Sequence, residues 1–264
     1  MSQRPQWPYA RVIAHRGGGT LAPENTLAAI RVGIEHGFRA IEFDAMLPRD
    51  DTPVLMHDHT LQRTALRPGA VTDFSAAELA RLDVGRWYSL RYAGEPVPGL
   101  DETLAFCRAS DVWCNVEIKP APGREAATGR VVAGRVGQAY ADVVRPAGDR
   151  QEHVVPTVPL LSSFSIEALE AARAACPDLP RGWLIDRVPP GWRARLEELG
   201  CVALHTNHRH LTATGVAEIK AAGAWLFCYT VNEPARARDL LAWGVDAFCT
   251  DRIDLMGPDF AAAK

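Results

Sequence analysis

Residues 214–249 read TGVAEIKAAGAWLFCYTVNEPARARDLLAWGVDAFC. Apolar residues recur at spacings of three and four through Thr214–Ala222 and again through Pro234–Trp243, the pattern of a helix with one buried face. Each stretch stops at a glycine, Gly223 or Gly244, where a helix end needs a left-handed residue. Each is followed by a short apolar run, Trp225–Thr230 or Asp246–Cys249, of the kind that forms a strand buried on both faces. The phrase recurs upstream, with Glu35-His36-Gly37 before Ala40–Phe43 and Glu198-Leu199-Gly200 before Cys201–Leu204. Four further runs, Arg11–Ala14, Trp113–Ile118, Leu160–Ser163 and Gly182–Ile185, complete a set of eight candidate strands. Helical stretches at Thr26–Glu35, Glu125–Ala141, Ile166–Ala175 and Arg193–Leu199 lie among them. Eight strands alternating with helices predict an α/β fold of the (β/α)₈ (TIM) barrel type. A doubly wound open sheet would leave a similar string.

The rhythm breaks between His57 and Leu100, where the chain is polar and rich in proline, glycine and aromatics. This predicts a small insertion of about residues 58–100 on one barrel loop after the second strand, with a helix at Ser75–Leu82. No proline- or serine-rich linker divides the 264 residues, so one domain over 1–264 is expected. With 29 basic and 32 acidic residues the net charge is only -3, which gives no support to nucleic acid or an anionic membrane surface as the main partner. The N-terminal stretch lacks the apolar segment of a secretory signal, and no run approaches the roughly 18–20 apolar residues of a membrane span. The six cysteines form no CxxC pair. Reduced thiols in a cytoplasmic protein without a membrane anchor are therefore expected.

Chemistry-bearing residues crowd the predicted strand ends. His15 and Arg16 close the first strand and run into Gly17-Gly18-Gly19, a turn whose backbone would approach a ligand closely. Glu42 and Asp44 are two apart on the second strand, so both side chains face the same way. Glu117 and Lys119 share that relation on the third. All four fall at strand C-terminal ends, where barrel enzymes build their sites. Three converging carboxylates repel one another unless a cation lies between them. Two readings are open: a hard divalent ion such as Mg²⁺ or Ca²⁺, or a stabilising network with Arg16 and Lys119. His57, followed by Asp58, ends a second extended run, Pro53–Met56. With His15 it makes a pair suited to general acid–base work near neutral pH, the alternative being structural or metal-ligating roles. Arg16 and Lys119 would fix an anionic group such as phosphate. His36, His153, His208 and His210 have no comparable setting, whereas His205 ends a strand and would line the cavity. The glycine run is not followed by Gly-Lys-Ser/Thr, so nucleotide binding has weak support.

His15-Arg16-Gly17, Pro23-Glu24-Asn25-Thr26, Glu42-Phe43-Asp44, His57-Asp58, Glu117-Ile118-Lys119, Ser162-Ser163-Phe164, Tyr229-Thr230-Val231-Asn232 and Cys249-Thr250-Asp251 together resemble, in order, the motif series of the glycerophosphodiester phosphodiesterase family. The resemblance runs from about Val12 to Ile253 and looks nearest to the bacterial cytosolic enzyme associated with glycerol-3-phosphate uptake. It implies a TIM barrel that hydrolyses glycerophosphodiesters to an alcohol and sn-glycerol 3-phosphate. It further implies His15 as proton acceptor, His57 as proton donor, and Glu42, Asp44 and Glu117 as ligands of Mg²⁺ or Ca²⁺. Arg16 and Lys119 would contact phosphate, Phe164 and Tyr229 would lie near the glycerol moiety, and Glu24 is a motif position without an assigned role. Many relatives carry Trp where this chain has Tyr229, and Asp-Gly in place of Asp50-Asp51. Aspartate tolerates left-handed turn geometry, so the hairpin leading to His57 is expected to survive. Lipid-directed chemistry would call for an apolar lip or amphipathic anchor, and a non-catalytic barrel for a lost ligand or histidine. The sequence shows neither.

Overall fold

The computed structural model describes residues 6–144 and 157–262; His153 and the first five residues lie outside them. Eight parallel strands close on themselves in the order β1 (Val12–Ala14), β2 (Ala40–Met46), β4 (Trp113–Ile118), β5 (Leu160–Ser163), β6 (Arg181–Ile185), β7 (Ala203–Asn207), β8 (Trp225–Tyr229) and β9 (Ala247–Thr250). Pairing of β1 with both β2 and β9 seals the barrel, which excludes the open sheet. All eight strands of the sequence reading are present. Their residues are almost all buried, as expected when helices cover the outside and side chains fill the inside.

The helices α1 (Leu27–Glu35), α4 (Glu125–Ala139), α5 (Ile166–Ala175), α6 (Trp192–Leu199), α7 (Ala213–Ala221) and α8 (Pro234–Trp243) correspond to the amphipathic stretches. Thr26, Ser165 and Thr212 cap three of them by accepting a backbone N–H of the first turn. The glycines read as helix stops, Gly37, Gly200, Gly223 and Gly244, all have φ between +64° and +104°. One helix escaped the sequence reading: α3 (Leu100–Ala109) begins directly after the proline-rich stretch and packs Leu100, Leu104 and Cys107 into the core.

Two features shape the barrel mouth. β2 extends beyond its neighbours and turns back through a two-residue antiparallel strand, β3 (Val54–Leu55), which returns the chain to His57. Asp51 takes φ +57° in this hairpin, the geometry expected of the Asp-Asp turn. The insertion then follows, with a single-turn helix α2 (Ala76–Leu79) whose Ser75 and Glu78 form a capping box. Met46, Val54, Met56, Leu61, Val71, Leu79, Val84 and Val97 give this region its own apolar cluster. At the opposite end, Trp7 packs edge-on to Trp225 at 5.5 Å and Tyr9 stacks on Trp113 at 4.1 Å, covering the strand N-termini.

Candidate active site

β2 places Glu42 and Asp44 inside the barrel, and β4 brings Glu117 beside Asp44 in register. Ligand oxygens of the three carboxylates lie within 4.8 Å of one another. Glu42 and Asp44 are buried and Glu117 is nearly so. Around them the chain supplies two cations. Lys119 Nζ sits 2.9 Å from Glu117 and 3.6 Å from Asp44. Arg16 Nε is 3.6 Å from Asp44 while its Nη1 donates to Glu24 at 2.8 Å. The cation network of the sequence reading therefore exists, but it does not balance the charge. Among the described residues Glu42 has only the His15 ring at 3.7 Å and the Arg16 backbone N–H at 3.1 Å. Burial and the neighbouring Asp44 push Glu42 up to about 8 and Glu117 up to about 7. Asp44 is itself buried, yet Arg16 and Lys119 hold it below its ordinary value. A site whose carboxylates ionise only against resistance, with oxygens this close, fits a hard divalent cation.

The position of Asp44 is set by Asn25, which the sequence reading did not single out. Asn25 Nδ2 donates to Asp44 Oδ2 at 2.8 Å, and Asn25 Oδ1 accepts the Asp44 backbone N–H at 3.0 Å. Asn25 and Arg16 both have positive φ, +56° and +51°, uncommon strain that concentrates in functional loops. The triple glycine packs tightly against the chain's own backbone. A Cβ on Gly19 would lie 2.2 Å from the Asp251 carbonyl oxygen, and one on Gly17 2.9 Å from the Ile30 nitrogen. These glycines let the loop wedge between α1 and the end of β9; their tightest neighbours are the chain's own backbone.

Each histidine has its own carboxylate. His57 Nδ1 is 2.7 Å from Asp58, as the adjacent residues suggested. His15 Nδ1 is 2.5 Å from Asp251, 236 residues away. Asp251 is fixed in turn by Asn232, whose Nδ2 donates to it at 2.9 Å and whose Oδ1 accepts its backbone N–H at 2.8 Å. Such partners fix tautomer and ring orientation. Burial pushes the His15 imidazole down, but Asp251 and Glu42 outweigh it and hold it above its ordinary value. For His57, burial together with the Arg16 and Lys119 cations outweighs Asp44 and Asp58, and the neutral form is favoured.

Glu24 stands behind the site. It accepts from Arg16 at 2.8 Å and from both terminal nitrogens of Arg63 at 2.5 and 2.7 Å, and Arg63 also grips Asp58. One charged chain thus links the Arg16 guanidinium to the partner of His57. Arg16 Nε itself makes no hydrogen bond among the described residues.

His15, Arg16, Glu42, His57, Glu117, Lys119, Phe164 and Tyr229 all line one cavity of about 200 Å³ at the barrel mouth. Of the residues singled out from sequence, Asp44 and Glu24 lie just outside that lining. His205 lines the cavity as expected; His36, His208 and His210 do not. Phe164 is half exposed and meets Tyr229 edge-on at 5.7 Å. The Tyr229 hydroxyl donates to the Ile185 carbonyl at 2.9 Å, so this departure from tryptophan ties β8 to β6.

The sequence profile described as the glycerophosphoryl diester phosphodiesterase family matches residues 15–255. A glycerophosphodiester phosphodiesterase of Caldanaerobacter subterraneus subsp. tengcongensis is 31% identical over 242 residues, covering 91% of this chain and 93% of the relative. One from Bacillus subtilis is 28% identical over 257 residues, 92% of this chain and 84% of the relative. Among solved structures, a phosphodiesterase of Oleispira antarctica in complex with the product sn-glycerol-3-phosphate superposes with a TM-score of 0.80. It has 34% identity, and the match covers 95% of this chain and 94% of that one.

Proposed function

The chain belongs to the glycerophosphoryl diester phosphodiesterase family, and from that premise we propose that it hydrolyses glycerophosphodiesters to an alcohol and sn-glycerol 3-phosphate. The carrying observation is three under-compensated carboxylates set between two histidines that each hold a carboxylate of their own. The product named for the Oleispira antarctica structure supports the same reading. Glu42, Asp44 and Glu117 would hold one Mg²⁺ or Ca²⁺, which when bound neutralises them and polarises a phosphoryl oxygen.

Arg16 and Lys119, both lining the cavity, bind and orient the phosphate. His15 accepts at Nε2 the proton of the nucleophile that attacks phosphorus, with Nδ1 engaged by Asp251, and a water supplies the oxygen and hydrogens that complete the two products. Neutralising Glu42 removes one of the influences that raise His15, which frees it to act as a base. His57 donates from Nε2 to the departing alcohol oxygen. A bound phosphate offsets the Arg16 and Lys119 charges that keep His57 neutral, and so favours the protonated form a donor needs. Phe164 and Tyr229 contact the glycerol moiety, and Glu24 holds Arg16 in place through its ion pair.

Residues 1–264 are read as one catalytic domain. Among the described residues no helix is long and apolar enough to cross a membrane. The six cysteines are free thiols, and we read the enzyme as cytoplasmic. The test is release of sn-glycerol 3-phosphate from choline, ethanolamine, glycerol and inositol diesters, followed by a coupled dehydrogenase. Release from at least one is expected, and release from none overturns the reading.

A further inference from the structure

We infer that His205 is a specificity-determining residue that receives the terminal hydroxyl of the substrate's glycerol moiety. The inference rests on the glycerophosphodiesterase reading and concerns the wall of the cavity that faces the carboxylates. In the closed barrel β7 lies four strands from β2 in either direction, so His205 and Glu42 project inward from opposite sides. A substrate whose phosphorus lies at the carboxylate side sends its carbon chain toward β6, β7 and β8.

His205 is 1% exposed, and neither ring nitrogen has a hydrogen-bond partner among the described residues. Leaving a buried polar group unbonded carries the full cost of its desolvation, which an apolar side chain stacked on Phe227 would avoid. The ring does stack there, at 4.5 Å between centroids and 23° between planes. The neighbouring strand makes room for its polar tip: a Cβ on Gly182 would lie 2.4 Å from His205 Nε2. Asn115 lines the same cavity and its buried Oδ1 is likewise without a partner. Leu184 and Phe227 supply apolar surface around these atoms.

Burial pushes the His205 imidazole down to about 3, so it is neutral and offers one donor and one acceptor. A hydroxyl, which can both donate and accept, is the small group that can pair with either ring nitrogen. The secondary hydroxyl of the glycerol moiety sits beside the phosphate, and the terminal one is the group that reaches furthest across the barrel.

The test compares a glycerophosphodiester with its 1-deoxy analogue, a propane-1,2-diol phosphodiester with the same head group. The analogue lacks only the terminal hydroxyl. Wild-type enzyme should prefer the glycerol diester by at least about 10²-fold in kcat/KM, since a site built for a hydroxyl is left with unbonded polar atoms by the analogue. In His205→Phe, which keeps the stack on Phe227, that preference should fall to within about threefold, with the loss on the glycerol diester. His205→Gln, which retains a donor and an acceptor, should recover part of it. Should His205→Phe not fold, the imidazole ¹⁵N shifts of wild-type His205 provide the measurement. They should move with sn-glycerol 3-phosphate and stay put with its 1-deoxy counterpart. Equal losses on both substrates, or equal shifts with both ligands, would make His205 a packing residue and overturn the inference. Wild-type enzyme that cleaves no glycerophosphodiester removes the functional reading and this one with it; cleavage without preference for the terminal hydroxyl removes only this one.

Discussion

Binding of a divalent ion should expel protons from the carboxylate site, and the affinity should therefore rise steeply with pH. Glu42 is pushed up to about 8 and Glu117 up to about 7, both first by burial and then by Asp44. Near pH 6.5 these values leave the pair carrying between one and two protons that the ion must displace, and above pH 9 almost none. The affinity for Ca²⁺ or Mg²⁺ should then be about 10³-fold tighter at pH 9 than at pH 6, roughly 4 kcal/mol at about 1.4 kcal/mol per decade. The stability of the ion-free protein follows with a definite sign. Both folded-state values lie above those of an unfolded glutamate. The contribution of these groups is thus fully present below about pH 4.5 and is lost as pH rises through 7 to 8. The stabilisation gained on adding Ca²⁺ should accordingly widen between pH 6 and pH 8. Titration calorimetry in two buffers of different ionisation enthalpy reads the released protons directly. An affinity that is the same at pH 6.5 and pH 8.5, with no buffer dependence of the heat, would refute the reasoning.

Three further outcomes follow from the same geometry. Asp251→Asn removes an influence that raises His15, so kcat should fall by at least about 10-fold and the acid limb of the kcat/KM profile should move to lower pH; an unshifted limb would disconnect Asp251 from the base. Removing either histidine should cost about 10²–10⁴-fold, but only His57→Ala should recover on a p-nitrophenyl diester, whose leaving group needs little protonation; equal recovery in His15→Ala would undo the division of roles. Gly19→Ala places a methyl 2.2 Å from the Asp251 carbonyl at φ +55°, so it should destabilise the fold by more than about 1 kcal/mol and reduce activity through displaced Asp251; a thermal melt unchanged from wild type would refute the wedge.

The barrel was legible because its signals are local. A helix of period 3.6 and a glycine stop lead into each of the buried strands β2, β7, β8 and β9, and the remaining barrel strands are short buried apolar runs. Helix α3 was obscured because Leu100 follows directly on Pro96-Val97-Pro98-Gly99, a context that reads as loop. In the site, period-2 geometry sufficed to put Glu42 and Asp44 on one face, and adjacency sufficed to pair His57 with Asp58. Asp251 and Asn25 were different. Their partners, His15 and Asp44, are reached only when β9 closes against β1 and when the loop before α1 folds over β2, and no spacing in the chain encodes those contacts. The glycine run permits close approach to the backbone of Asp251 and Ile30, residues the local sequence does not reveal.

The most direct test of metal-dependent diester hydrolysis starts from enzyme stripped exhaustively by chelator, with metal content verified, and follows sn-glycerol 3-phosphate release as Mg²⁺ or Ca²⁺ is returned. Activity should be absent in the stripped protein and return in proportion to one tightly held ion per chain, and Glu117→Gln should weaken that ion's binding. Full turnover by verified metal-free enzyme would contradict the role assigned to Glu42, Asp44 and Glu117.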